Sequence, residues 1–258
     1  DFKFLSDTSK LIFDREALLG VSITGWMNNP DILFNEKILE KGANIVKEVN
    51  REVAQIIGIN AAARTTCVKP SGNASVLLQT ASGIHAEHSN MYIRNVQMNK
   101  ESEITQAIMK TNPYMVEESV WSSTGTDVVV SFPILPKKGS MYKDDLLGIK
   151  HLELVKKAQK HWVETGTNED LCADKGIRHN VSNTIIVDDW DNVEKYVYEN
   201  RDAFAGISFL AMTGDKDYNQ APNTGVIDSK TMVKKYGDAS IFASGLVVDA
   251  LKVFPNLW

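Results

Sequence analysis

Short runs rich in β-branched residues alternate along this chain with stretches that repeat at helical spacing, and this alternation constrains the fold more than any other feature. Runs at 18–25, 64–68, 91–98, 127–132, 181–187 and 206–210 read as strands. Between the first two, Phe34, Ile38, Ile45, Val49, Val53 and Ile56 recur near a 3.6-residue period, and Gly58 is the expected stop. A second long helix is expected over 143–163, with Leu147, Leu154, Val155 and Ala158 on one face. Shorter helices are expected over 101–110, ended by Asn112-Pro113, and over 192–202, where Asp191 and Glu194 have capping-box spacing. Two more are expected at 229–236 and 242–253, and residues 1–16 read as irregular or briefly helical. The pattern implies an α/β fold with strands largely parallel. No linker rich in Pro, Gly or Ser interrupts it, so residues 1–258 read as a single piece.

Residues 64–85 hold the densest local signal. Thr65, Thr66 and Val68 form a buried-type strand, which Lys69-Pro70-Ser71-Gly72-Asn73 breaks. Pro70 has no N–H for a sheet ladder, and Gly72 lets a ligand approach the backbone. Residues 74–78 are small or apolar and suit a short buried helix. Strand, glycine turn and helix together aim several unpaired N–H groups at one place, which suits an anion. Ser71, Asn73 and Ser75 offer side-chain donors, and Lys69 offers a charge. The local pattern leaves two readings open: a phosphate cradle, or an ordinary βα turn capped by Ser71 or Asn73.

Composition removes several function classes. The net charge is −5, with acidic and basic residues mixed, so nothing points to a nucleic-acid partner. No apolar run has membrane-spanning length, so no membrane partner is expected, and Asp1-Phe2-Lys3 does not open a signal peptide. Two cysteines, Cys67 and Cys172, lie far apart, which excludes a disulfide framework and makes a cytoplasmic location the default. No spacing suggests a metal site.

Thr66-Cys67-Val68-Lys69-Pro70-Ser71-Gly72, then Ser82-Gly83-Ile84-His85, then Tyr92-Ile93-Arg94, resembles ribonucleotide reductase, in particular the adenosylcobalamin-dependent class II large chain of the monomeric type. Gly20-Val21-Ser22-Ile23-Thr24-Gly25, Gly206-Ile207-Ser208-Phe209-Leu210 and Gln220-Ala221-Pro222 fit the same family in the same order. The resemblance implies the C-terminal half of a ten-stranded α/β barrel made of two five-stranded halves. It implies that Ser71, Gly72, Asn73, Ala74 and Ser75 hold the phosphates of a ribonucleoside di- or triphosphate, with Asn73 where the family more commonly has Thr. It places Pro70, Gly83, Ile84 and His85 close to the substrate pocket. For Arg94, which shares a strand face with Tyr92, a structural ion pair and a phosphate or cofactor contact both stay open.

The family also needs a finger-loop cysteine that forms a thiyl radical, a nearby asparagine and glutamate, and two cysteines that supply reducing electrons. This sequence has no Asn-Pro-Cys-x-Glu, and neither Cys67 nor Cys172 stands at a catalytic position. The resemblance therefore assigns this chain no catalytic residue. It implies adenosylcobalamin as cofactor, an external thiol reductant, and the reductase's N-terminal half as partner, either on the same longer chain or on a separate one. Residues 249–258 resemble a family segment that continues further, which fits a split chain or a fragment. A class I large chain shares the barrel but uses a Tyr-Tyr pair, absent here. A nucleotide-binding accessory module without catalysis is the non-enzymatic alternative.

Overall fold

In a computed structural model the described residues are 3–212 and 220–225. In chain order the helices are α1 (Asp7–Glu16), α2 (Pro30–Leu33), α3 (Glu36–Ile57), α4 (Asn73–Leu77), α5 (Glu103–Thr111), α6 (Gly148–Ala158) and α7 (Trp190–Glu199). The strands are β1 (Tyr92–Asn99), β2 (Val116–Glu118), β3 (Asp127–Ile134), β4 (Thr184–Val187), β5 (Ser208–Ala211) and β6 (Asn223–Gly225). The chain, read from sequence as one piece, falls into two compact units. One holds the described residues up to 87 together with 138–212, the other residues 88–137 and 220–225. The helices expected at 229–236 and 242–253 lie outside the described residues.

The first unit carries the parallel part of the fold. Val21 pairs with Thr66, and Val68 with Val181, both parallel, and β4 pairs parallel with β5. Ribbons at 19–21, 64–68, 181–187 and 208–211 thus run side by side in one direction. The outer ribbons are shorter than the sequence suggests: 18–25 contributes a bridge at Val21, and the last strand starts at Ser208.

Helix α3 joins the first two ribbons. Asn35 caps it by accepting from the Ile38 N–H, and Gly58 ends it at φ 74°, the left-handed turn that glycine adopts most easily. Its buried residues are Leu39, Ala43 and Ala54, whereas the predicted apolar stripe of Ile38, Ile45, Val49, Val53 and Ile56 faces outward. The second long helix exists as α6, continued by a wider π-helical turn at Gln159–Glu164. That turn packs on the strand at 64–68. The Thr66 hydroxyl donates to the Trp162 carbonyl at 2.6 Å, and the Trp162 indole N–H donates to the Cys67 carbonyl at 3.0 Å. Trp26, Leu39, Leu152, Val155 and Ile185 anchor the core beneath. At α7 the cap is Asp189, two residues before the acid picked out by spacing, and its carboxylate accepts from the Asn192 N–H at 3.1 Å.

The second unit corrects the expectation of largely parallel strands. Its sheet, in the order β2-β3-β1-β6, is antiparallel throughout. The segments expected at 91–98 and 127–132 form it, with Arg94 opposite Phe132, and β3 runs on through Pro133. The physical reason lies in the connection. A tight turn, with Ser122 N–H bonded to Ser119 and Gly125 N–H to Ser122, returns the chain from β2 to β3, and a parallel pair needs a long crossover. Ile93, Val128 and Val130 of the sheet form one core cluster with Ile108 and Met115.

Candidate functional site

The strand at 64–68 ends on a series of ties to residues far away in sequence. The Lys69 N–H donates to Ser22 Oγ at 3.0 Å, and Pro70 then interrupts the backbone donors. The N–H groups of Ser71 and Gly72 both point at Ser82 Oγ, at 2.9 and 3.3 Å. Gly72 sits at φ 51°, ψ −122°, a conformation that residues with a side chain avoid, and α4 starts directly after it. A Cβ built on Gly72 meets nothing within 4 Å, so the space before this backbone is open.

The hydroxyls of the turn are committed to holding it. Thr24 Oγ1 donates to the Ala81 carbonyl at 3.0 Å and accepts the Gly83 N–H at 2.9 Å. A hydroxyl has one proton, so Ser71 Oγ, 2.6 Å from Thr24 Oγ1, is the donor of that pair. The Ser75 hydroxyl donates back to the Gly72 carbonyl at 2.7 Å. The capping reading therefore fails for Ser71: the N-cap residue is Gly72, and no side chain caps the helix. The Ala74 N–H reaches back to the Ser71 carbonyl at 3.1 Å. The N–H groups of Asn73 and Ser75 stand in the first turn, where a helix supplies no acceptor.

Gly83 closes the site from the other side. At φ 55°, a Cβ on it would lie 2.8 Å from the Lys69 carbonyl oxygen, so the backbones of 69–70 and 83 come this close only because residue 83 has no side chain. Ile84 is fully buried, and its carbonyl accepts from His151 Nε2 at 2.9 Å. The carbonyl can only accept, so Nε2 carries the proton. His85 Nδ1 lies 3.0 Å from the Ser82 carbonyl and donates to it in the same way. Burial holds His85 below the ordinary imidazole range, which leaves no standing positive charge at neutral pH. Lys69 is exposed and forms no ion pair with a described residue.

Sequence reasoning missed the clamp. Thr24 belongs to the glycine-flanked run that carried the resemblance, and a hydroxyl between two glycines was the available signal. Asn28 gave none, yet it is 6% exposed with both ends of its amide in use. Its Oδ1 accepts from Thr80 Oγ1 and the Ala81 N–H, both at 2.6 Å, and its Nδ2 donates to Glu87 Oε1 at 2.7 Å and Ser140 Oγ at 3.0 Å.

Burial drives His151 down to about 4, with the neighbouring His85 lowering it further against the opposing pull of the Ile84 carbonyl. A neutral buried histidine that charges on unfolding stabilises the fold fully above the ordinary imidazole range. That contribution is lost as the pH falls from about 6.5 toward 4, where the unfolded chain binds the extra proton. Lowering the pH from 7 to 5 is expected to lower stability through this residue by about 2 kcal/mol. Urea unfolding at the two pH values checks it, with His151→Gln expected to flatten the difference.

The other sequence candidates are not members of this hydrogen-bonded cluster. Cys67 and Cys172 are buried free thiols, both pushed up by burial. Tyr92 and Arg94 belong to the second unit and share a face as expected, with the guanidinium 3.4 Å from the phenol oxygen and 6.0 Å from the ring centre. A cleft of about 690 Å³ in that unit is lined by Asn95, Gln97, Trp121, Val129, Gln220 and Pro222, and contains none of the predicted site residues. Among the described residues no cluster of His, Cys, Asp and Glu is placed to hold a metal ion, and no helix is long and apolar enough to cross a membrane.

No family model matches the chain. A probable adenosylcobalamin-dependent ribonucleoside-triphosphate reductase of Dictyostelium discoideum is 29% identical over 163 residues, covering 61% of this chain and 21% of that protein. An adenosylcobalamin-dependent ribonucleoside-triphosphate reductase of Euglena gracilis is 24% identical over 169 residues, covering 64% of this chain and 23% of the relative. The fold matches a crystal structure of a B-12 dependent (class II) ribonucleotide reductase with a TM-score of 0.76 at 15% identity, over 98% of this chain and 37% of that one. The chain therefore spans between a fifth and a quarter of the length of these curated relatives.

Proposed function

We propose that the chain, which is similar to adenosylcobalamin-dependent ribonucleoside-triphosphate reductases and shares the fold of a class II reductase, is a C-terminal part of such an enzyme and supplies the turn that holds the substrate phosphates. The observation that carries this reading is the open backbone at Gly72. Space lies in front of it, uncapped N–H groups follow it, and hydroxyls from Thr24 and Ser82 fix its shape. The N–H groups of Asn73 and Ser75 and the Ser82 hydroxyl are the donors to a phosphate of a ribonucleoside di- or triphosphate. Ser71, Ala74, Ser75 and Pro70 keep those donors in place, and Gly83, Ile84 and His85 form the neighbouring wall.

The parallel ribbons of the first unit are, in this reading, part of one five-stranded half of the barrel. The finger-loop cysteine, its carboxylate partner and the reducing cysteines come from the N-terminal half, and an external thiol restores them. Adenosylcobalamin does not fit the residues found around the turn: backbone N–H groups and short hydroxyls suit phosphate oxygens and do not make a seat for a corrin. The cofactor's seat lies elsewhere than this turn. The adenosylcobalamin dependence named for both relatives disfavours a class I chain.

The isolated chain is expected to form no deoxyribonucleotide. Adding an N-terminal half with the finger loop, adenosylcobalamin and a dithiol is expected to restore reduction, read as deoxynucleotide by chromatography. Turnover by the 258 residues alone would refute the assignment of catalysis to the other half.

A further inference from the structure

Helix α3 has two faces, and among the described residues only one is covered. On the inner face the Lys47 ammonium donates to the Thr165 carbonyl at 3.1 Å, Arg51 donates to Asn168 Oδ1 at 2.8 Å, and Glu40 meets His161 Nδ1 at 2.7 Å. Ala43 and Ala54 are buried between them. On roughly the opposite side, at 100° per residue, stand Ile38, Ile45, Val49, Val53 and Ile56, between 45% and 81% exposed. Their spacing of seven, four, four and three residues forms a straight stripe about 27 Å long. A helix that turns Leu39, Ala43 and Ala54 inward and a row of β-branched residues outward is built to be covered on both sides.

We infer that this stripe is the docking surface for a helix of the reductase's N-terminal portion. The inference rests on the reading that the chain is part of a longer enzyme. The occupant follows from proportion: the fold match takes in 98% of this chain but 37% of the solved reductase, so most of the polypeptide around this fold is contributed from elsewhere. The shape of the surface fits a helix, whose side chains at i, i+4 and i+7 mesh with such a stripe over several turns.

The test uses the chain with the N-terminal portion supplied as a separate polypeptide. Ile45→Glu, Val49→Glu and Val53→Glu combined should leave the isolated chain folded by circular dichroism and weaken assembly at least 100-fold in sedimentation. Val49→Cys gives a second reading that does not depend on a disruptive variant. The introduced thiol should react with a maleimide in the isolated chain at least tenfold faster than in the assembly, against a background of buried Cys67 and Cys172. Unchanged assembly of the triple variant, or equal reactivity of the Val49→Cys thiol in both states, overturns the inference. So does a stripe that only pairs two copies of this chain, seen as a homodimer lost in the variant while assembly with the N-terminal portion persists. Gly72→Val should leave assembly intact, so the docking surface and the phosphate turn fail separately.

Discussion

Gly72→Val in the assembled enzyme is expected to weaken nucleoside triphosphate binding about 100-fold, which is roughly 3 kcal/mol. Two effects combine. The backbone at φ 51°, ψ −122° is open to glycine and strained for a β-branched residue, so the turn has to move. The new side chain also enters the open space beside residue 72, through which a phosphate would approach the backbone. Circular dichroism separates the two, because a misfolded unit loses helix signal and a blocked turn does not. Gly72→Ala serves as the graded case: it keeps most of the backbone strain and little of the bulk. Titration of both variants with a nucleoside triphosphate, followed by calorimetry, gives the comparison. Affinity within twofold of wild type for a folded Gly72→Val would leave the turn with no part in phosphate binding.

Asn28→Leu is expected to cost the fold about 3–5 kcal/mol, the range for breaking a buried, charge-bearing network. Leucine has a similar volume but no polar atoms. The Ala81 N–H and the Thr80 hydroxyl lose their acceptor, and Glu87, 5% exposed, loses the Nδ2 donor at 2.7 Å. The loss falls on 79–87, the return path that brings Ser82 and Gly83 against the turn. Urea unfolding measures the stability change. A loss under about 1 kcal/mol would mean that water replaces the amide without cost and that the network is not what orders this segment.

Much of the local structure is legible in the sequence because local chemistry determines it. Gly58 ends α3 because the left-handed turn there favours glycine, and the strand at 64–68 stops where Pro70 removes a donor. The uninterrupted Val128, Val129 and Val130 were readable as a continuous apolar strand, and all three are at most 3% exposed. Strand direction was not readable, because a run of valines pairs equally well either way, and only the tight return from β2 makes β3 antiparallel. The stripe on α3 was visible, but periodicity reports which side of a helix is apolar and not which side its own chain covers.

The site divides along the same line. Pro70, Gly72 and the start of α4 follow from a few adjacent residues. The parts that hold them do not: Thr24 meets Ser71 from 47 residues away, and Asn28 meets Ala81 from 53 residues away. Hydroxyls and amides carry no periodicity, so nothing in the one-dimensional pattern separates a clamp from a surface residue. Ser71 shows the consequence. Its sequence position suggests a donor to an anion, whereas its proton is spent on Thr24, and the donors pass to the backbone.

The central claim is that the backbone at residues 71–75 takes the phosphates of a nucleotide. The most direct measurement labels this chain with ¹⁵N inside the assembled enzyme and follows its amide resonances during two titrations, one with a nucleoside triphosphate and one with the same nucleoside lacking phosphate. The account predicts that the amides of Asn73 and Ser75 shift with the triphosphate and stay in place with the nucleoside. Triphosphate-dependent shifts confined to other parts of the chain, with residues 71–75 unmoved, would contradict it.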